Sequence, residues 1–117
     1  MKNNRETGSR YEQKAAAYLT QAGYRVLEMN YCCPFGEIDV IGEKGAVLVF
    51  FEVKYRRDSS FGHPLEAVDE KKQKRIYRTA RHYLAYHHIP PDRDCRFDVI
   101  GILGNTITHI KSAFGGM

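Results

Sequence analysis

Asp39 precedes Glu52 by twelve intervening residues, and Lys54 follows Glu52 after one more, giving the pattern D-x12-E-x-K. Two carboxylates that converge on one cation suit Mg²⁺ or Mn²⁺, which take oxygen ligands in an octahedron and keep several waters. Such an ion lowers the pKa of a bound water and neutralises charge on a phosphate under in-line attack. A lysine one strand repeat beyond Glu52 can orient that water or stabilise the developing negative charge, and the Val53 carbonyl can add a ligand. Together these groups suit hydrolysis of a phosphodiester. The plainer reading is a salt bridge, Glu52 with Lys54 or Asp39 with a nearby arginine, because so short a pattern also arises by chance.

The surrounding residues sharpen the choice. Residues 36–55 read GEIDVIGEKGAVLVFFEVKY, two apolar runs (38–41 and 46–53) around the polar turn Glu43-Lys44-Gly45. This is a hairpin expected at the centre of a sheet. Charges inside such strands cost several kcal/mol unless they are paired, solvated at a cleft or bound to a metal. Strand alternation puts Glu37, Asp39 and Ile41 on one face, with Ile38 and Val40 on the other. It likewise groups Leu48, Phe50, Glu52 and Lys54 against Val47, Val49, Phe51 and Val53. A tight turn at Lys44-Gly45 sets Asp39 across from about Phe50 and diagonal to Glu52, roughly 7–8 Å away between Cα atoms. Carboxylates can close that gap around a shared cation.

A first helix is predicted over residues 9–22, with Tyr11, Ala15, Tyr18, Leu19 and Ala22 on one face and Gly23 as its stop. Ser9 and Glu12 have capping-box spacing, so Glu12 has a local role open to it. The first six residues and residues 113–117 are expected to be flexible ends. Residues 24–29 read as a short strand and 30–35 as a connection. Beyond the hairpin, 56–64 is a polar loop and 65–68 a short helical turn. A long helix then starts at the N-cap Asp69 and runs to about His87, with Ile76, Ala80, Tyr83, Leu84 and His87 as its buried stripe. Ile89-Pro90-Pro91 ends it. Residues 95–103 and 106–111, joined at Gly104-Asn105, close the chain as a second hairpin. The order α-β-β-β-α-β-β implies one α/β domain, residues 1–117, with a sheet of about five strands and a helix on either side of the central hairpin.

Composition bounds the function. At 117 residues the chain can build one real core, and 43% hydrophobic with 27% charged residues describes a globular protein. No apolar run approaches the ~20 residues of a membrane span, and no leader pattern opens the chain. Three cysteines (Cys32, Cys33, Cys95), an odd number with two adjacent, suit reduced thiols and a cytoplasmic protein better than a disulfide framework. The net charge of +4 leans toward an anionic partner. Its carriers cluster: Lys71, Lys72, Lys74, Arg75, Arg78 and Arg81 stud the long helix, and Arg56 and Arg57 follow the proposed site. Such a helix face is often merely solvated, but lysines and arginines that neutralise phosphates also give affinity without sequence information. Arg56, Arg57, Lys71, Lys72 and Arg75 are the candidate nucleic-acid contacts. His63, His82, His87 and His88 show no zinc spacing with the cysteines, so no zinc site is expected. Asp98 reads as a structural partner for a neighbouring arginine.

Gly8-x3-Glu12, GEID (36–39), FEVKYR (51–56), the lysine-rich helix from Glu70 and RFDVI (96–100) together resemble the YraN-type family of small, functionally uncharacterised bacterial proteins. That family in turn resembles the Holliday junction resolvases and the PD-(D/E)xK restriction-endonuclease-like superfamily. The resemblance covers about residues 8–111. It implies a restriction-endonuclease-like fold, a central mixed sheet flanked by helices, and a metal-dependent nuclease site in which Glu12 is the acidic residue from the first helix. Asp39 and Glu52 are then the metal-binding pair and Lys54 the catalytic lysine. Ile38 stands where the superfamily pattern has proline.

The expectation is therefore a Mg²⁺- or Mn²⁺-dependent nuclease that cuts DNA, with branched or damaged DNA suggested by analogy to the resolvases, and a homodimer suggested in the same way. Two other readings stay open. One is a non-catalytic nucleic-acid-binding protein that keeps the nuclease fold, and the other an interaction module whose acidic set is an ion-pair network.

Overall fold

A computed structural model describes residues 2–58 and 68–115, with side chains from residue 10 onward. The elements run α1 (Lys2–Gln21), β1 (Arg25–Cys33), β2 (Gly36–Lys44), β3 (Val47–Arg56), α2 (Glu70–Tyr86), β4 (Cys95–Leu103) and β5 (Thr106–Phe114). The strands form one mixed sheet in the order β1-β2-β3-β4-β5. All neighbours are antiparallel except β3 and β4, which are parallel because α2 crosses between them. This is the α/β order expected. The predicted helical turn at residues 65–68 and most of the loop at 56–64 lie outside the described residues.

Each helix covers one face. Ala15 and Leu19 of α1 pack on Tyr24, Val40, Val49, Phe51, Ile100 and Ile102. Ile76, Ala80, Tyr83 and Leu84 of α2 pack on Tyr31, Ile38, Ile41, Leu48, Phe50 and Phe97. Of the predicted α2 stripe, His87 alone is exposed, since it sits one residue past the helix as its C-cap. At the other end the Asp69 side chain accepts from Lys72 N–H at 2.8 Å, as its place before the helix predicts.

Several boundaries differ from expectation. Helix α1 begins at Lys2, so Ser9 lies inside it and the Ser9–Glu12 capping box does not form. Strand β1 continues to Cys33, leaving Pro34 and Phe35 as the turn, and β5 continues to Phe114. The central hairpin pairs Lys44 with Val47, so the two-residue loop is Gly45-Ala46 and not Lys44-Gly45. Gly45 takes φ +61°, which an L side chain resists, and this conformation decides where the chain reverses. The shift moves the register by two: Phe50 faces Ile41, and the row of Glu52 falls level with Asp39.

Candidate active site

The β2–β3 ladder stops at Val40↔Phe51. Next in line on β3, Val53 has no backbone partner on β2; its N–H donates instead to Asp39 Oδ2 at 2.7 Å. At the same point the alternation of β2 breaks. Ile38 and Ile41 both pack under α2, whereas Val40 packs under α1, so Asp39 sits where the strand changes its facing. Expected strict alternation over 37–41 therefore does not hold. The two strands part here, and the notch between them is walled by Gly36, Glu37, Asp39, Glu52, Val53, Lys54 and, from α2, Lys72, Arg75 and Ile76, enclosing about 310 Å³.

Five elements supply the polar groups. Strand β3 places Glu52 and Lys54 on the α2 face, in line with the core residues Leu48 and Phe50. Glu52 is 6% exposed and its Oε2 receives Lys54 Nζ at 3.1 Å and Lys72 Nζ at 2.5 Å. From α1, Glu12 reaches Asp39 and Asn30 with its carboxyl group. Asn30 lies between the pairs Met29↔Val40 and Tyr31↔Ile38, hence opposite Asp39, and holds a left-handed φ of +56°. Such a backbone on a non-glycine residue beside a polar cleft is a common mark of a functional position.

The electrostatics follow from burial. Burial, then the charge of Glu52, pushes the Asp39 carboxyl up to about 9. Glu12 is raised too, by burial first, with its hydrogen bond to Asp39 acting against the rise. Burial also pushes on Glu52, but the hydrogen bond from Lys72 and the charges of Lys54 and Lys72 outweigh it and hold Glu52 below its usual range. Lys54 is lowered by burial and by Lys72 beside it. In Lys72 burial is overcome by Glu52, and its pKa rises. Two lysines thus share one ionised carboxylate while its neighbour Asp39 is held neutral.

Of the expected site residues, Asp39, Glu52, Val53 and Lys54 line this notch, Lys72 and Arg75 enter its wall, and Glu12 approaches Asp39 from α1 without lining it. Lys72 is thus an ion-pair partner of Glu52 as well as a candidate phosphate contact. Lys71, Arg56 and Arg57 do not line the notch: Lys71 is exposed on α2, Arg57 is exposed just past β3, and Arg56 Nη1 donates to Tyr55 O at 2.9 Å. Asn30 was not singled out in the sequence; only its tolerance of left-handed backbone could have hinted at it.

The donor chemistry fits a hard divalent cation. Three carboxylates gather here, and Asp39 keeps its proton because burial and Glu52 disfavour a second charge; a hard divalent cation would let these oxygens ionise together. Among the described residues, no group of three or more His, Cys, Asp and Glu is already spaced to hold an ion, and both lysines lie on Glu52. A cation taken up here would require the lysines to yield.

Asp98 is different in kind. It is 0% exposed, yet fully partnered: Arg96 Nε and Nη2 donate to its two oxygens at 2.9 Å each, Ser112 N–H donates at 3.0 Å, and His109 Nε2 lies 2.7 Å away. Arg96 Nη2 also donates to the Tyr24 hydroxyl. This network ties β4 to β5 and to the start of β1.

Comparison with known proteins adds the lineage. Residues 11–102 match the model of an uncharacterised protein family, UPF0102. The chain belongs to that family. A UPF0102 protein of Lachnoclostridium phytofermentans is 44% identical over 112 residues, covering 96% of this chain and 95% of the relative. One from Syntrophus aciditrophicus is 46% identical over 118 residues, at 97% and 92% coverage, and one from Persephonella marina 43% over 107 residues, at 92% and 91%. The UPF0102 match includes every residue of the notch. Among the described residues, no helix is long and apolar enough to cross a membrane.

Proposed function

We propose that this UPF0102 protein is a Mg²⁺- or Mn²⁺-dependent nuclease that hydrolyses phosphodiester bonds of DNA, with branched or damaged DNA as its substrate. The observation that carries the reading is the convergence of Asp39, Glu52 and Glu12 with Lys54 at the one place where β2 and β3 part. Asp39, Glu52, Glu12 and the Val53 carbonyl would hold the ion, which supplies a water of lowered pKa and charge neutralisation at the phosphate. Lys54, drawn toward neutrality by burial, is placed to orient that water or to donate to the developing negative oxygen. Lys72 and Arg75 in the wall neutralise the flanking phosphates, and Lys71, Arg56 and Arg57 offer further charge to the bound strand. A homodimer would bring two such notches to two strands of one junction. An odd number of cysteines, two of them adjacent, suits the reducing cytoplasm.

One observation favours the non-catalytic nucleic-acid-binding reading: Glu52 already has two lysine partners, a closed arrangement that needs no metal. Cleavage decides between them. Labelled single-stranded, duplex, flapped and four-way-junction DNA is incubated with purified protein in Mn²⁺, in Mg²⁺ and in EDTA, beside Glu52→Gln and Lys54→Ala variants verified as folded. Metal-dependent cuts that disappear in both variants are expected. Salt-sensitive binding with no cutting of any substrate would leave the binder, and absence of binding would remove both.

A further inference from the structure

One flank of α2 leads away from the notch. Lys71, Arg75, Arg78, His82 and Tyr86 recur at spacings of four, three, four and four, so they form a single line between the buried stripe and the outward face. Its first three members are basic and its last two aromatic. The basic end adjoins the notch, since Arg75 lines it. The aromatic end is joined by Phe35, at the tip of the β1–β2 turn. Gly36, the next residue, lies so close to α2 that a Cβ there would stand 3.3 Å from Thr79 Oγ1 and 3.9 Å from Arg75 Cβ, which seats the turn on the helix.

This aromatic end faces solvent. Phe35 is 49% and Tyr86 68% exposed. Between them His82 is fixed, its Nδ1 2.5 Å from the Tyr31 hydroxyl. The Phe35 ring lies 6.3 Å from His82, edge to face, and the Tyr86 ring 6.3 Å from it, nearly parallel at 12°. An exposed aromatic surface continuous with a basic one is what single-stranded nucleic acid engages, phosphates on the cations and base faces on the rings. Paired bases hide those faces in the stack; unpaired ones present them.

We infer that Phe35, His82 and Tyr86 form a stacking platform for unpaired nucleobases, beside the Arg75–Arg78 phosphate track, so that the strand entering the notch does so from a single-stranded segment. The inference rests on the nucleic-acid reading above and narrows its substrate to DNA with unpaired bases next to the scissile bond. The charge of the flank selects a polyanion over a second copy of this chain, whose matching edge would bring like charges together.

Binding without metal tests this apart from catalysis. Fluorescence anisotropy in EDTA would compare a single-stranded oligonucleotide, the same oligonucleotide with abasic sites, and a blunt duplex, across a salt series. Combined Phe35→Ala and Tyr86→Ala substitutions are expected to weaken single-strand binding about tenfold or more, leaving the salt slope and the abasic and duplex affinities nearly unchanged. Phe35→Tyr with Tyr86→Phe should restore it. The chain has no tryptophan, so Phe35→Trp gives a lone reporter whose emission the normal oligonucleotide should quench and the abasic one should not. Equal weakening on all three ligands, or none on any, overturns the platform. So does loss of self-association in the alanine variant with unchanged oligonucleotide binding, which would make the patch a contact between copies. If single-strand binding behaves as expected while no substrate is cut, the platform stands and the nuclease reading falls.

Discussion

Asp39 Oδ2 accepts the backbone N–H of Val53 at 2.7 Å, taking the position that the next β2 residue would occupy if the ladder continued. A side chain thus completes the backbone pairing of β3 and, by doing so, keeps the two strands apart. The same carboxyl group is asked to lie buried among Glu52 and Glu12. Structure and charge are in opposition at this residue.

The first prediction concerns stability. The Asp39 carboxyl rises from its ordinary 3.8 to about 9, through burial first and then the charge of Glu52. Folded chains keep a proton that unfolded chains release between those values. The stability this group contributes is therefore fully present below its ordinary pKa and drains as pH climbs toward 9. Asparagine cannot ionise and can still accept from Val53. Asp39→Asn is expected to raise the unfolding free energy in EDTA by about 2–4 kcal/mol at pH 8 and by almost nothing at pH 4. Urea melts at the two pH values check this; a variant less stable at pH 8 would refute it.

Metal uptake should release protons. Because Asp39 is neutral at pH 7 and must ionise to ligate, Mn²⁺ binding is expected to liberate about one proton per site and to tighten as pH rises toward 9. Calorimetry in buffers of different ionisation enthalpy counts those protons directly. Binding with none released would mean that Asp39 does not bear the ion.

On the proposed reading, Lys72 would compete with the ion for Glu52. Replacing it by methionine leaves Lys54 alone on that carboxylate. Lys72→Met should tighten Mn²⁺ binding several-fold while costing about 1 kcal/mol of metal-free stability, a figure reduced for its partial exposure. Weaker Mn²⁺ binding in a folded variant would show that Lys72 supports the ion and does not displace it.

Asp98 is predicted to be structural. Its removal leaves the Arg96 guanidinium partly buried without its carboxylate and strips the Ser112 N–H of its acceptor. Asp98→Ala should destabilise the fold by about 3–5 kcal/mol, and the fraction that remains folded should keep its affinity for Mn²⁺. Thermal melts with and without the ion separate the two effects; a normal melting temperature would contradict the buried network.

Much of this was legible in the residues because it is local. Apolar periodicity marks two helices and five strands, and Asp69 announces the start of α2. Charges stranded in apolar runs single out Asp39, Glu52 and Lys54, since the cost of burying them demands a reason. Local signals also misled. Ser9 with Glu12 carries the spacing of a cap, but spacing does not exclude a helix that starts earlier, and α1 starts at Lys2.

Tertiary structure decided what depends on distant parts of the chain. The left-handed Gly45 moved the hairpin loop by one residue, and strand pairing turned that into a two-residue change of register that puts Glu52 level with Asp39. The break in alternation at Asp39, the reach of Glu12 from the opposite helix and the grip of Lys72 on Glu52 come from how two helices sandwich a parting sheet. The sequence by itself determined which groups carry charge into the core. Only packing, which is set by contacts between residues far apart in the chain, determined that they meet.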